Sequence, residues 1–182
     1  MSLSLLPNLI TLCRCGLAFV VGGMILWDAR ASWVPMLAFG FVAATDFLDG
    51  WLARRLNAVS QIGAFLDPVA DKLLVGISLL ALTHVENWAL VIAIPTFAIL
   101  ARDTIATGLR LFPSISMPVS KLAKWKTALE MIGIAALLAA TPSSVGVIWP
   151  AGLVLVWVAA ALSVYTLGLY LGVVLGDEKR PR

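Results

Sequence analysis

The sequence predicts an all-α membrane protein, a bundle of six transmembrane helices in a single domain over residues 1–182. Three observations predict this fold class. Hydrophobic residues make up 61% of the chain and the mean hydropathy is +0.99, whereas soluble domains are about 45–50% apolar. The apolar residues fall into runs close to the ~20 residues that cross a bilayer. Short polar turns separate the runs, and no internal repeat or separate soluble domain is visible.

The apolar runs define the predicted spans in order. They lie near residues 12–27, 33–54, 66–84, 88–110, 123–141 and 148–175. Residues 1–11 are predicted to form a short interfacial helix, with Pro7 at a first-turn position. No basic segment or small-residue cleavage site precedes the first apolar run, so we expect no removable signal peptide.

Three polar turns and one loop separate the spans. The turns are predicted at 28–32, 84–87 and 141–144, and the loop at 111–119, which contains two prolines. The two cysteines, Cys13 and Cys15, are two residues apart and therefore point to different sides of a helix. This spacing indicates packing rather than a disulfide or a metal site.

Basic residues predict the orientation of the bundle. Of the 13 lysines and arginines, only Arg30 lies in the three polar turns, and the remaining 12 lie at the opposite ends of the spans. The positive-inside rule makes that end cytoplasmic, and an even number of spans then makes both termini cytoplasmic. Asp46 precedes Arg54 by eight residues, which places it about 12 Å deeper along a helix, near the cytoplasmic face.

Four aspartates lie in otherwise apolar sequence. They are Asp46, Asp49, Asp67 and Asp71. Spacings of three and four residues put each pair on one helix face. Four carboxylates in a low-dielectric environment repel one another, and a bound divalent metal ion would relieve this repulsion. Oxygen ligands favour Mg²⁺ or Mn²⁺ over zinc, and two ions ~3.5–4 Å apart suit displacement at phosphorus. The alternative is a structural ion-pair network in which Asp46 and Asp49 pair with Arg54 or Lys72. Four acids at paired helical spacings favour the metal site over this network.

The same stretch carries a family resemblance. It reads Asp46-x₂-Asp49-Gly50-x₂-Ala53-Arg54-x₈-Gly63-x₃-Asp67-x₃-Asp71. This pattern resembles the signature of the CDP-alcohol phosphatidyltransferases without a departure in spacing. The resemblance implies that an alcohol attacks the phosphorus of a CDP-linked lipid and that CMP is released. It implies that Asp46, Asp49 and Asp67 hold two metal ions, and that Asp71 contacts metal and acts as the general base on the incoming hydroxyl.

The resemblance also implies a pocket for the CDP-lipid. Its residues would be Gly50, Ala53, Arg54 and Gly63. The glycines lack side chains and would let cytosine and ribose approach the backbone, although helix–helix packing also uses small residues. Arg54 offers a planar fork to a phosphate, whereas a membrane anchor is the alternative. The opening Pro7-Asn8-x₂-Thr11-x₂-Arg14 is similar to that of phosphatidylglycerophosphate and cardiolipin synthases, which implies that Asn8, Thr11 and Arg14 lie near the diphosphate or the cytidine of the donor.

A second group of cations lies at the cytoplasmic ends of the fourth and fifth spans. It comprises Arg102, Arg110, Lys121, Lys124 and Lys126. A helix N-terminus already favours phosphate, so an acceptor alcohol that carries a phosphate would explain this group; lipid-headgroup anchoring is the alternative. The segments around these residues are similar to bacterial phosphatidylglycerophosphate synthases, although Glu is more usual there at the position of Asp103. That resemblance implies sn-glycerol 3-phosphate as the acceptor, with its phosphate on Arg110, Lys124 and Lys126.

Other functions remain open from the sequence. The same chemistry could use phosphatidylglycerol, as in cardiolipin synthesis, or inositol phosphate. A divalent-cation transporter would place carboxylates near the midplane, between paired broken helices, but the four aspartates lie in adjacent spans near one face. We expect a bacterial inner-membrane enzyme with a lipid-accessible cleft that binds CDP-diacylglycerol. By the resemblance we also expect a homodimer, and we expect no nucleic-acid partner.

Overall fold

The computed structural model contains six α-helices and no strand among the residues that it describes, which are 5–28, 32–55, 61–110, 121–140 and 145–177. The helices are α1 Leu5–Asp28, α2 Val34–Arg55, α3 Gln61–Val85, α4 Leu90–Arg110, α5 Lys121–Ala139 and α6 Val145–Asp177. The structure does not describe the side chains of, among others, residues 5–11, 46–55, 61–68, 71, 109–110 and 121–124. The prediction of an all-α fold is confirmed for the described part of the chain.

Each predicted span overlaps one helix, and two of the helices meet the criteria for crossing a membrane by length and composition. Among the described residues these are Leu90–Gly108 in α4 and Gly146–Leu169 in α6. Shorter apolar stretches occur at Val34–Thr45 in α2 and Lys72–Val85 in α3. Both shorter stretches border directly on the aspartate-containing segment, where charged residues replace the apolar run.

The first helix differs from the sequence prediction at its start. Residues 1–11 were expected to form a separate interfacial helix, but α1 continues without a break from Leu5 to Asp28. Pro7 does not interrupt it because it lies in the first turn, where the missing N–H has no intrahelical partner to lose. Residues 1–4 lie outside the described part of the chain.

Polar groups form the described turns between helices. Between α1 and α2, the Ser32 hydroxyl donates to the Asp28 carboxylate and accepts from the backbone N–H of Val34 at 3.3 Å, which satisfies an N-terminal donor of α2. After α3, Asn87 and Trp88 have left-handed backbones, with φ of 51° and 59°, and reverse the chain into α4. The predicted turn at 141–144 and the predicted loop at 111–119 lie outside the described residues.

The helices pack as two groups of three. In the first group, α1 packs along α3 and against α2; in the second, α5 packs along α6, and α4 also packs along α6. Glycines permit the closest approaches: a Cβ on Gly22 would overlap the Ile77 side chain, and a Cβ on Gly152 would lie 2.9 Å from the backbone N of Leu137. Fewer contacts join the two groups, chiefly between α3 and α4 and between α2 and α5.

Three exposed tryptophans lie at one end of the bundle. Trp27 lies one residue before the end of α1, Trp33 precedes α2, and Trp88 lies in the turn between α3 and α4; all three are at least half exposed. Basic residues are concentrated at the opposite end. Trp125, which is 68% exposed, lies at that basic end, in the first half of α5. Because tryptophan is enriched at both membrane–water interfaces, this distribution agrees with a membrane surface at each end of the bundle.

Candidate functional site

The four aspartates lie on two helices of the first group. Asp46 and Asp49 lie in the C-terminal half of α2, and Asp67 and Asp71 lie in the N-terminal half of α3. The backbone is helical at all four positions, as the spacing argument requires. Their side chains lie outside the described part of the structure, so the metal site stays a prediction. Among the residues whose side chains are described, no group of three His, Cys, Asp or Glu comes together as a metal site.

The described polar site is a set of buried charges where α4 meets α5. Oδ1 of Asp103 lies 3.0 Å from Nη1 of Arg102 and 2.5 Å from Nζ of Lys126. The Lys126 ammonium also contacts Oε1 of Glu130 at 3.1 Å, one turn further along α5. The side chains of Lys126 and Glu130 are only 3% and 2% exposed. Lys126 is therefore held between carboxylates from two helices.

Hydroxyl groups of α6 contact two members of this set of buried charges, Arg102 and Glu130. Nη2 of Arg102 donates to Oγ1 of Thr166 at 3.3 Å, and the Ser163 hydroxyl donates to Oε1 of Glu130 at 3.4 Å. Thr166 Oγ1 in turn donates to the main-chain oxygen of Ser163 at 3.0 Å. The contacts thus form a closed ring through α4, α5 and α6, the three helices of the second group.

Lys72 joins this site to the aspartate-bearing helix α3. Its ammonium donates to the main-chain oxygen of Asp103 at 2.9 Å and to the Thr107 hydroxyl. The Thr107 hydroxyl also donates to the same Asp103 oxygen, at 2.7 Å. Lys72 directly follows Asp71, so the predicted base and the buried charges are connected through neighbouring residues of one helix.

Together these residues form what we call the charged cluster. It consists of Lys72, Arg102, Asp103, Lys126 and Glu130. Its three cations and two carboxylates leave a net charge of +1. Charged groups at this level of burial are tolerated when they are paired and hydrogen-bonded, and the contacts described above meet that condition. A net positive charge in a low-dielectric place favours an anionic ligand.

An apolar groove of about 490 Å³ opens beside the charged cluster, between α3 and α4. Its apolar wall includes Leu73, Ile77, Leu80, Ile99 and Leu100. Lys72, Asp103 and Thr107 lie at the end of the groove nearer the basic end of the bundle. The two helices meet again further along, where the buried hydroxyls of Thr83 and Thr96 lie 3.0 Å apart. A polar end on an apolar groove has the form that an anionic lipid requires.

Comparison with known proteins identifies the family. A family model described as CDP-alcohol phosphatidyltransferase matches residues 4–165, most of the chain. The chain belongs to the CDP-alcohol phosphatidyltransferase family. The match includes the aspartates of α2 and α3, the whole charged cluster, and both Ser163 and the start of α1. The family predicted from the aspartate pattern is thus confirmed, and with it an enzyme that is a transferase of phospholipid biosynthesis.

Several curated relatives carry the enzyme name CDP-diacylglycerol–glycerol-3-phosphate 3-phosphatidyltransferase. A protein of this name from Rickettsia felis is 36% identical over 167 residues, covering 88% of this chain and 90% of the relative. One from Salmonella choleraesuis is 39% identical over 181 residues, covering 94% and 96%. A second form from Arabidopsis thaliana is 38% identical over 147 residues, covering 72% and 63%.

The structure brings together two of the predicted acceptor-site residues. Arg102 and Lys126 share the Asp103 carboxylate. Arg110 is the last residue of α4, and Lys121 and Lys124 lie in the first turn of α5, but their side chains are outside the described part. The same holds for the predicted CDP-lipid residues, which lie in α1, α2 and α3. They are Asn8, Thr11, Gly50, Ala53, Arg54 and Gly63.

Sequence reasoning missed several residues of the charged cluster. Glu130 had a detectable signal, because an acid inside an apolar span four residues after a lysine predicts a buried ion pair. Lys72 was considered only as a partner for the aspartates, whereas its described bonds are to α4. Ser163 and Thr166 had no such signal, since hydroxyl residues are common in membrane helices and their partners lie on other helices.

Proposed function

We propose that this protein transfers the phosphatidyl group of CDP-diacylglycerol to sn-glycerol 3-phosphate, giving phosphatidylglycerophosphate and CMP. The observation that supports the acceptor most directly is the pair of buried cations, Arg102 and Lys126, gathered around one anionic oxygen. A neutral alcohol would have no use for this arrangement. The names of the curated relatives agree with the same donor and acceptor.

The acceptor phosphate is proposed to bind where α4 ends and α5 begins. Arg110, Lys124 and Lys126 would contact it, with Arg102 and Lys121 beside them. Guanidinium groups bind phosphate through paired hydrogen bonds, and ammonium groups bind it as point charges. The first-turn N–H groups of α5 add to the attraction. Because Asp103 and Glu130 already contact Lys126, the phosphate would share that lysine with them.

The transfer reaction is proposed to take place at the four aspartates. Their all-oxygen donor set, on two helices that contact each other, fits two Mg²⁺ or Mn²⁺ ions held by Asp46, Asp49, Asp67 and Asp71. Bound metal would neutralise charge on the diphosphate. Asp71 would accept the proton of the acceptor hydroxyl as its oxygen attacks the phosphorus attached to the diacylglycerol. The bond from that phosphorus to the bridging oxygen would break, and CMP would leave.

The donor is proposed to approach from the lipid. Gly50, Ala53, Arg54 and Gly63, with Asn8 and Thr11 of α1, would line the cytidine and diphosphate pocket. The apolar groove between α3 and α4 provides a surface on which an acyl chain can remain in the bilayer while the polar head reaches the charged end. A mostly apolar site with a few polar groups at one end is the usual form for a lipid-like ligand.

The proposed topology has six spans in the bacterial inner membrane, with both termini and the active site on the cytoplasmic side. The concentration of basic residues at one end of the spans supports this orientation. A homodimer is also proposed, on the basis of the family resemblance alone.

CMP release tests the proposed function. Purified protein in detergent is given CDP-diacylglycerol and Mg²⁺, and the acceptor alcohol is varied. Release with sn-glycerol 3-phosphate, abolished by EDTA and restored by Mg²⁺ or Mn²⁺, is the expected result. Release only with phosphatidylglycerol or inositol phosphate would keep the transfer chemistry and refute the acceptor. No release with any alcohol would refute the proposed reaction and favour a test of cation transport.

A further inference from the structure

Asp103 lies between the two buried cations of the proposed acceptor site. One of its carboxylate oxygens contacts both, at 3.0 Å from Nη1 of Arg102 and 2.5 Å from Nζ of Lys126. The side chains of Arg102, Lys126 and Asp103 are 7%, 3% and 13% exposed. Water is therefore largely excluded from the place where the guanidinium and the ammonium approach each other.

Two cations so close together require an anion between them. Because Nη1 of Arg102 and Nζ of Lys126 contact the same oxygen, these nitrogens are at most 5.5 Å apart, the sum of the two distances. Like charges at this separation repel strongly where the dielectric constant is low. Without a negative charge at residue 103, the two side chains would turn away from each other. The carboxylate thus sets their separation before any acceptor is present.

Glu130 does not have the same role. Its described contacts are with Lys126, at 3.1 Å, and with the hydroxyl of Ser163 on α6, at 3.4 Å. Loss of its charge would leave Arg102 and Lys126 still gathered by Asp103. Glu130 therefore orients the lysine along α5, whereas Asp103 determines the distance between the cations of α4 and α5.

The backbone of Asp103 also connects this pair to α3. Its main-chain oxygen accepts hydrogen bonds from Nζ of Lys72 at 2.9 Å and from Oγ1 of Thr107 at 2.7 Å. Lys72 is the residue after Asp71, the proposed base. One residue of α4 thus contacts both cations of the acceptor site and the helix that carries the reacting end.

We propose that Asp103 is a positioning residue for the phosphorylated acceptor. Its carboxylate holds Nη1 of Arg102 and Nζ of Lys126 at most 5.5 Å apart, and the acceptor phosphate then binds to this preformed pair. The inference rests on the proposed function, whose acceptor it concerns. Asp103 acts through the two cations and has no contact with the reacting atoms.

Steady-state kinetics of charge-neutral and charge-retaining variants test the inference. In Asp103→Asn the KM for sn-glycerol 3-phosphate should rise about tenfold or more, as expected for a lost charge-assisted contact. The KM for CDP-diacylglycerol and kcat should change by less than about threefold, because a residue that acts only on acceptor binding leaves donor binding and the chemical step unchanged. Asp103→Glu retains the charge and should restore most of the acceptor affinity. Asp28→Asn is the matched control, because it makes the same chemical change at the opposite end of the bundle.

Several outcomes would overturn the inference. An unchanged acceptor KM in Asp103→Asn, an equal rise in both KM values, or no rescue by Glu would each do so. If Asp103→Asn fails to fold, the double variant Arg102→Gln/Asp103→Asn is used instead, because the double variant removes one charge of each sign. The acceptor KM of the double variant should match that of Arg102→Gln alone, since Arg102 no longer repels Lys126 in either protein. A large further rise in the acceptor KM of the double variant would contradict the proposed role of Asp103.

The same experiment separates this inference from the proposed function. If the parent protein uses glycerol 3-phosphate and Asp103→Asn has the same acceptor KM as the parent, only the inference about Asp103 fails. If the parent uses a different phosphorylated alcohol, the proposed acceptor fails, and the KM comparison with that alcohol decides on Asp103. If the parent accepts only an alcohol without a phosphate, both fail.

Discussion

Lys126 has more described ionic contacts than any other single lysine in the part of the chain that the structure describes. It lies on α5 and contacts carboxylates of α4 and of its own helix, at 2.5 and 3.1 Å. The sequence predicted Lys126 as a ligand of the acceptor phosphate, with lipid-headgroup anchoring as the alternative. Its burial argues against the anchor, because a buried lysine must be neutralised by fixed partners.

Removing the Lys126 charge should destabilise the protein. Lys126→Met leaves Asp103 and Glu130 with fewer cations in a buried place, and breaking such a pair costs about 3–5 kcal/mol. We expect a clearly lower Tm in detergent, and partial recovery in Lys126→Met/Glu130→Leu, which removes one charge of each sign. Lys179→Met, outside the cluster, is the control. A Tm equal to that of the parent would show that water reaches the cluster and screens it.

Asp71 offers a test of roles within the aspartate group. Asp71→Asn keeps the shape of the side chain but cannot accept the proton of the acceptor hydroxyl. We expect CMP release to fall by about 10²–10⁴-fold, the usual contribution of a general base, while Mg²⁺-dependent binding of CDP-diacylglycerol is retained. The readouts are CMP release and equilibrium binding of the labelled donor. Full activity in this variant would refute the assignment of Asp71 as the base.

At the level of helices, the contact between α5 and α6 depends on two glycines. A Cβ on Gly133 would lie 3.2 Å from the backbone N of Val156, and one on Gly152 would lie 2.9 Å from that of Leu137. Both contacts are with backbone, which cannot rotate away as a side chain can. The close approach also brings Glu130 of α5 within reach of Ser163 on α6.

Alanine substitutions at two glycines of α6 should therefore have opposite effects. Gly152→Ala forces the α5 and α6 backbones apart and should cost about 1–3 kcal/mol, as overpacking does. Gly168→Ala is the matched control, since a Cβ there meets nothing within 4 Å, and alanine raises helix stability by about 1 kcal/mol over glycine. Thermal unfolding in detergent measures both. Equal Tm values would show that α5 and α6 can separate at little cost.

Apolar runs were sufficient to predict the six helices, because each helix contains a long stretch that is poor in charge and turn residues. The predicted start of the first long helix was wrong, because Pro7 was assigned to a separate interfacial helix. A proline in the first turn is compatible with one continuous helix. The aspartate pattern predicted the family because all of its residues lie in one local segment. The ring through Glu130, Ser163 and Thr166 could not be predicted, because it depends on which helices are neighbours.

For the molecule as a whole, the two groups of helices divide the proposed chemistry. The aspartates belong to α2 and α3 in the first group, and Arg102 and Lys126 belong to α4 and α5 in the second. Few contacts join the groups, and two described links are the bonds of Lys72 to α4 and the Thr83–Thr96 hydroxyl pair. In the proposed mechanism, the relative position of the two groups would therefore determine whether the acceptor hydroxyl meets the phosphorus.

Cysteine labelling tests the proposed topology. In a Cys13→Ser/Cys15→Ser background, Glu86→Cys marks the turn between α3 and α4, and Lys179→Cys marks the C-terminal segment. A membrane-impermeant maleimide should label the first variant in cells with a permeabilised outer membrane and the second only in inverted vesicles. The positive-inside distribution is the reason for this expectation. Three proposed spans, α4, α5 and α6, lie between residue 86 and the C-terminal segment. Labelling of both sites from the same side would require an even number of spans there and would refute the proposed topology.

The length of α6 has a consequence for the lipid that surrounds the protein. Its 33 residues extend about 50 Å as a helix, well beyond the ~30 Å of a typical hydrocarbon core. Because α6 also supplies Thr166 and Ser163 to the ring of buried contacts, a change in its tilt alters the positions of Arg102 and Glu130. We therefore expect turnover in reconstituted vesicles to depend on the chain length of the host phospholipid, so that membrane thickness regulates the rate at which this enzyme makes new membrane.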